Sequence, residues 1–506
     1  MCKQLFNINL TKADLPSPTT VQAIVDEGHF LAKAFISEKL EQSENWGVNR
    51  DGTTRRKIKI VDTSITLNSG DVMSLGFNTV AHETARSITQ VIKSHLSELA
   101  DLNVSLKDDS ENMKEEKTQE YIIESLEKLA YTMSDRASNE KLANTLLNEW
   151  RDDVLKNFEN DAAKQAVHSF HCMAHVLLGF HSYVKPEMKK MDERLTKDNG
   201  PIGRDAFKFW SKKELVIERV LRTTADIFGP VGDHHGVRDR LEAICANLGI
   251  KSVIGNYRDN RFNALFETAA EIHWHKIDFL KVLDTVETPN LKIKSVIEDL
   301  RSDIVAVLLQ CFGLFYLKVS GPYWNLITCG LFEHVINIKT FIETCVQEPA
   351  NLLRQNCHCS AEDPLQIHSV AHYDKYVQSL FTLNEETHLL LFDLVKFVAT
   401  AIIKCIDKQL VDFLPGGKFH DVSNENDVRR TKFAHTTNLA CEHHFGDLDS
   451  SQKGRPRASM HHHSSIQLLK RNRKQMMSWL EDMASTDRSS IIKRHEKLGA
   501  HLESFI

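Results

Sequence analysis

Three acidic residues carry the clearest chemical signal in this chain: Asp51 in DGTT, Asp135 in SDRASN and Glu442 in TTNLACEHHFGDLD. Carboxylates gathered by folding hold divalent cations. Mg2+ or Mn2+ needs few of them, because water and phosphate oxygens complete its shell. Two cations so held activate an attacking oxygen and stabilise a leaving oxygen in phosphodiester chemistry. The steps along the chain are 84 residues from Asp51 to Asp135 and 307 from Asp135 to Glu442. HCMAH (171–175) adds Cys172 and His175, three positions apart.

Each residue also has a simpler reading. Asp-Gly is a hairpin signal, and Asp62 in KIKIVDTSITL competes with Asp51 for the first acid. Asp135 can cap the helix that follows it. Glu442 suits a helix start through the dipole, and Asp447 or Asp449 can take its place one or two turns later. Cys172 and His175 make half a zinc site, but no second pair follows at zinc spacing. Cys357-His358-Cys359 reads as loop, His461 to His463 as a polar surface tract, and His443 and His444 as exposed neighbours of Glu442 that can tune it.

The acids must be positioned by regular elements. Residues 18–42 have helical periodicity. Three strand-like runs follow, 46–54, 57–67 and 72–80, rich in β-branched residues, with NSGD (68–71) as a hairpin. A helix over 81–100, a solvated acidic loop over 105–118 and a helix over 119–129 lead into LAYTMSD (129–135), a buried strand ending on Asp135. A helix over 138–159 and a strand-to-helix segment over 166–180 complete this part. The order is a meander, a crossover helix, then parallel strands: an α/β mixed sheet of ribonuclease H topology. In that topology the first acid lies on strand one, the second ends the first parallel strand, and the third lies on a later helix.

From 205 to 415 the pattern is helical, in segments 213–228, 237–247, 263–284, 292–318, 325–346, 365–382 and 385–413. A loop over 415–427 and helices over 437–448 and 464–484 close the chain. The expected division is an N-terminal helical segment (1–45), the first part of the core (46–200), an all-α insertion (201–415) and a completion of the core (416–506). The greasy run Ile304–Leu317 is too short for a membrane span and reads as a core helix. Ten cysteines without a disulfide-like pattern fit a reducing compartment, cytosol or nucleus. The net charge of −6 argues mildly against a nucleic-acid binder, although RRTK (429–432), KGRPR (453–457) and KRNRK (470–474) are locally basic.

A ribonuclease-H-like core split by a helical block before its last glutamate resembles the hAT superfamily of DNA transposases. HCMAH is similar to the CxxH motif of that family. NRFNALFETA (260–269) is similar to its RWNS segment, with Phe262 where Trp is usual, and ACEHHFGDLD resembles the family ending. The resemblance covers 45–485 in pieces. It implies metal-dependent hydrolysis and strand transfer at transposon ends, in the nucleus, on terminal inverted repeats and target DNA, with a possible homo-oligomer and no membrane. Asp51, Asp135 and Glu442 would hold Mg2+ or Mn2+, and Cys172 and His175 would support the site. Arg261 and Asn263 would contact DNA, and Arg429, Arg430 and Lys432 phosphates. The family usually carries an N-terminal zinc finger, which is not seen here. That absence and the acidic charge favour the alternative, a domesticated, catalytically inactive relative that binds DNA or proteins, although a truncated reading frame explains the absence equally well.

Overall fold

Ser17 and Pro18 start the first helix among the described residues, α1 (Pro18–Gln42): the Ser17 hydroxyl accepts the Thr20 N–H at 3.1 Å, and Pro18 occupies a first-turn position that needs no donor. The computed structural model describes residues 17–107, 114–157, 165–199, 214–230, 236–247, 254–258, 261–286, 290–329, 334–354, 378–420, 425–484, 488–489 and 491. The chain forms two units, Met1–Cys172 joined with Ser423–Ile506, and Met173–Val422.

The first unit is built on a mixed sheet of β1 (Trp46–Arg55), β2 (Ile58–Leu67), β3 (Val72–Val80), β4 (Leu129–Ser134) and β5 (His168–His171), in the order β3-β2-β1-β4-β5. The first three strands pair antiparallel, and β4 and β5 run parallel to β1. Helices α2 (Ala85–Lys107), α3 (Lys114–Lys128) and α4 (Ser138–Asn157) connect them. The acidic loop expected over 105–118 is shorter than its composition suggests: helix continues to Lys107 and resumes at Lys114, where Glu115 and Glu116 favour the N-terminus.

The β1–β2 turn carries no Asn or Gly. Arg56 and Lys57 both adopt positive φ, 49° and 69°, as a two-residue hairpin of this twist requires. Replacing the pair by Asn-Gly removes that strain. The sheet unit is expected to gain about 1 kcal/mol, read by amide hydrogen exchange in β1 and β2; unchanged or faster exchange would contradict it.

Between α1 and α2 lies a buried polar cluster. The Lys33 ammonium donates to His95 Nδ1 and to Glu98, both at 2.9 Å, and His29 Nε2 lies 3.3 Å from Glu98. Burial, with the Lys33 charge beside it, lowers the His95 imidazole to about 4. Burial raises the Glu98 carboxyl, but Lys33, His29 and His95 outweigh it and hold it well below the carboxylate range. Both shifts have one sign. The folded state binds fewer protons than the unfolded chain, so stability is full above about pH 6.5 and falls on acidification towards 4. His95 alone accounts for about 3 kcal/mol of that loss. Denaturant unfolding at pH 7 and 4.5 checks it, and His95→Phe should flatten the dependence.

The second unit comprises α5 (His175–Asn199), α6 (Val216–Phe228), α7 (Val237–Asn247), α8 (Ala264–Asp284), α9 (Leu291–Arg301), α10 (Asp303–Phe315), a π-helical turn (Tyr316–Ser320), α11 (Gly321–Cys329), α12 (His334–Gln347), a 3-10 turn (Pro349–Leu353) and α13 (His388–Gln409). No strand occurs in it among the described residues. Phe266, Phe312 and Phe315 meet in its core, and Phe228 stacks on Phe279 at 4.2 Å. The helix expected over 292–318 breaks at Ser302, which is extended and caps α10 through the Val305 N–H. Beyond the break, Asp303–Ile327 is one 25-residue helical run, long and apolar enough to cross a membrane, and 89% of its most apolar window is buried inside the protein. Of the helix expected over 365–382, residues 365–377 lie outside the described residues, as does Cys357-His358-Cys359.

The chain returns to the first unit through α14 (Glu425–Thr431), α15 (Leu439–Gly454) and α16 (Met460–Asp482). Thus α14 begins within the stretch 415–427 that reads as loop. Helix α16 covers β3. Asn472 bonds both the N–H and the C=O of Ser74, at 3.0 and 2.9 Å, and the Ser464 hydroxyl does the same for Phe77 at 2.7 and 3.1 Å. Gly76 lies at a bulge with φ 90°, and a side chain there would press on Ser464. Behind this contact Leu468, Met476, Trp479 and Leu480 join Phe35, Ile36, Leu40, Trp46 and Ile65 in one core. His461 to His463 are therefore helical rather than a surface tract, with His463 buried against Ser451.

Candidate metal centre

The register of the two central strands brings the first two acids together. Asn49 on β1 pairs with Met133 on parallel β4. Two residues further along each strand come Asp51 and Asp135, side by side and on the same face, because side chains alternate with period two. Both carboxylates are held locally. Asp51 Oδ1 accepts the Gly52 N–H at 2.9 Å, and Asp135 Oδ1 accepts the Ala137 N–H at 2.9 Å as the chain turns into α4. Asp135 thus does the turn-capping work that a simpler reading gives it, while its other oxygen stays available.

Beyond β5 the Cys172 N–H bonds the Ser134 carbonyl at 2.8 Å, which continues the parallel ladder past Asp135's strand. Three residues later His175 opens α5. One carboxylate oxygen each from Asp51 and Asp135, buried and half-buried, lie within 4.8 Å of one another, and such a pair can help to hold a metal ion. Cys172 is buried, and its sulfur accepts the Asn438 N–H at 3.4 Å just before α15.

Glu442 lies in the first turn of α15, close enough to the Asp51 carboxyl to act on it electrostatically. Burial pushes the Asp51 carboxyl well above the usual carboxylate range, and the charges of Glu442 and Asp135 add to it. The other acids of that region are taken by cations. Asp449 accepts from Arg55 at 2.8 Å, and Asp447 pairs with Lys470 at 2.7 Å and with Arg471. Asp62 is directly opposite Asp51 in the β1–β2 register, yet one strand further from Asp135, and His444 Nδ1 lies 2.7 Å from its Oδ2. Among the described residues neither Asp62 nor Glu442 contributes an atom to the group that can hold a metal ion.

Glu83, which follows β3, has no counterpart in the reading of the sequence. Its carboxylate lies where a methyl group on Gly52 would be, beside Asp51. Burial raises it, and Glu140 and Asp135 add to that against Lys59 at 3.9 Å. No spacing pattern marks it; only the turn between β3 and α2 brings it there.

The residues expected to touch DNA divide. Arg261, Arg429 and Lys432 are exposed. Arg430 is not available: it is buried, and its guanidinium donates to Asn45 Oδ1 and to the carbonyls of Ala166 and Leu129, each at 3.1 Å. Asn263 is likewise buried, at φ 62° before α8, a left-handed conformation that Asn tolerates. Its neighbour Phe262 packs on His175 at 5.3 Å and on Trp324 at 6.0 Å. Compared with family models and with curated protein sequences, the chain matches none.

Proposed function

We propose that this chain is a DNA transposase-like phosphoryl-transfer protein of the hAT type, built on a ribonuclease-H-like sheet and using Mg2+ or Mn2+. The observation that carries the reading is the register that brings Asp51 on β1 and Asp135, just past the end of β4, side by side, with Glu442 facing Asp51. The strand order β3-β2-β1-β4-β5 supports it, as does the return of the third acid beyond a helical unit. The donor set fits a hard divalent cation, because a buried carboxyl facing two others lacks a counter-charge. When bound, the cations supply activation of a water or 3′-hydroxyl oxygen and stabilisation of the leaving oxygen. Asp51 and Asp135 hold them, with rotamers set by the Gly52 and Ala137 N–H groups, and Glu442 completes the set. Arg261, Arg429 and Lys432 remain as contacts to the phosphates of transposon-end or target DNA. The reading carries a nuclear location and allows a homo-oligomer.

The second reading is a domesticated relative that has kept the fold without catalysis. The acidic net charge of −6 and the engagement of Arg430 in the fold favour it. Cleavage of DNA carrying terminal inverted repeats from the flanks of the coding sequence, with Mn2+, distinguishes them. Strand cleavage supports the first reading. Mn2+ binding without cleavage leaves the second, and a chain that neither binds Mn2+ nor cleaves defeats the metal centre itself.

A further inference from the structure

We infer that Asp62 and His444 form a buried pair that sets Glu442 against Asp51, and are positioning residues for the metal centre; the inference rests on the metal reading above. Asp62 is 0% and His444 3% exposed, so the pair is held in the interior at 2.7 Å. Burying an acid costs free energy unless its partner is well placed, and neither Asp62 nor His444 is among the residues proposed above to hold the metal. Their placement suggests what they do. Asp62 is the residue opposite Asp51 on the neighbouring strand, and His444 is two residues past Glu442.

Three positions in the first turns of α15 engage one patch of two paired strands. Cys441 meets Ser64 at 3.7 Å, Glu442 meets Asp51, and His444 meets Asp62. Asn438 just before them donates to the Arg50 carbonyl at 3.2 Å. Contacts on either side of Glu442 fix both the rotation and the height of the first turn. At 2.7 Å the Asp62–His444 bond joins an imidazole to a carboxylate and is shorter than the Cys441–Ser64 and Asn438–Arg50 contacts, so it is more directional than either. Partners that orient metal-binding groups are worth about 10–100-fold in metal affinity.

The test is Mn2+ titration calorimetry on the full chain. Asp51→Asn should weaken binding at least ~100-fold, the upper end of that scale. The double replacement Asp62→Leu with His444→Leu leaves no orphaned charge and should still fold. It is expected to weaken Mn2+ binding about 10–100-fold with an unchanged circular dichroism spectrum. His444→Gln keeps an N–H donor for Asp62 and should bind within about threefold of the original, a rescue that bulk packing would not produce. A folded double variant that binds Mn2+ normally overturns the inference while leaving the metal centre intact. Should the double variant not fold, His444→Gln decides alone: a hundred-fold loss there overturns the inference. If the unmodified chain does not bind Mn2+, the underlying reading fails and takes this one with it.

Discussion

Asp51→Asn is expected to abolish Mn2+-dependent DNA cleavage and, without metal, to make the sheet unit more stable. The loss of activity should be at least about 10^2–10^3-fold, the scale on which a single charge-stabilising group acts in a preorganised site. The gain in stability follows from linkage. Burial, then Glu442 and Asp135, raise the Asp51 carboxyl above its unfolded value. Protonation therefore favours the folded state. The metal-free unit is most stable below the unfolded value near 4 and loses stability as pH rises through the folded one. Asparagine carries no charge to lose. The variant should exceed the original at pH 7, and the difference should vanish on acidification below about pH 4. Mn2+ reverses the order. At a hundred times its dissociation constant it stabilises the original by about 2.7 kcal/mol and the variant hardly at all. Hydrogen exchange of β1 and β4 amides with and without Mn2+ reads all three effects. An Asn variant less stable than the original without metal would show that Asp51 serves the fold rather than an ion.

The five strands were readable because the local signals agree with the global arrangement. KIKIVDTSITL is dense in β-branched residues, and NSGD closes a hairpin that needs Asn or Gly. Where tertiary contacts override local preference, the sequence is silent. Arg56 and Lys57 make a tight turn that their types do not announce. Ser302 breaks a run whose hydrophobic period continues across it. Arg430 and His463 are polar, and polar residues are normally exposed; they are buried because carbonyls and a hydroxyl from distant segments meet them. At the candidate metal centre the aspartates could be placed because strand ends are where such sites form. The Asp62–His444 bond joins residues 382 positions apart and leaves no trace in any window of sequence.

A large structural effect is expected at the other face of β1. Side chains alternate along a strand, so Arg50 points away from Asp51. It is fully buried, and its Nε donates to Glu140 Oε2 at 2.6 Å while Nη2 reaches the Glu140 carbonyl at 3.3 Å and Asn144. Glu140 lies in the first turn of α4, immediately after the segment that carries Asp135. The pair therefore fastens the strand of one acid to the helix that follows the other. Glu140→Leu leaves the guanidinium buried without its counter-ion and should cost about 3–5 kcal/mol. Arg50→Met combined with Glu140→Leu removes both charges and should recover most of that stability. Hydrogen exchange in β1 and α4 measures both, and a single variant as stable as the original would mean that Asn144 alone satisfies Arg50. The double variant separates stability from alignment. It restores packing without the directional bond between β1 and α4, so any weakening of Mn2+ binding that persists in it reports the spacing of Asp51 and Asp135 rather than the stability of the fold.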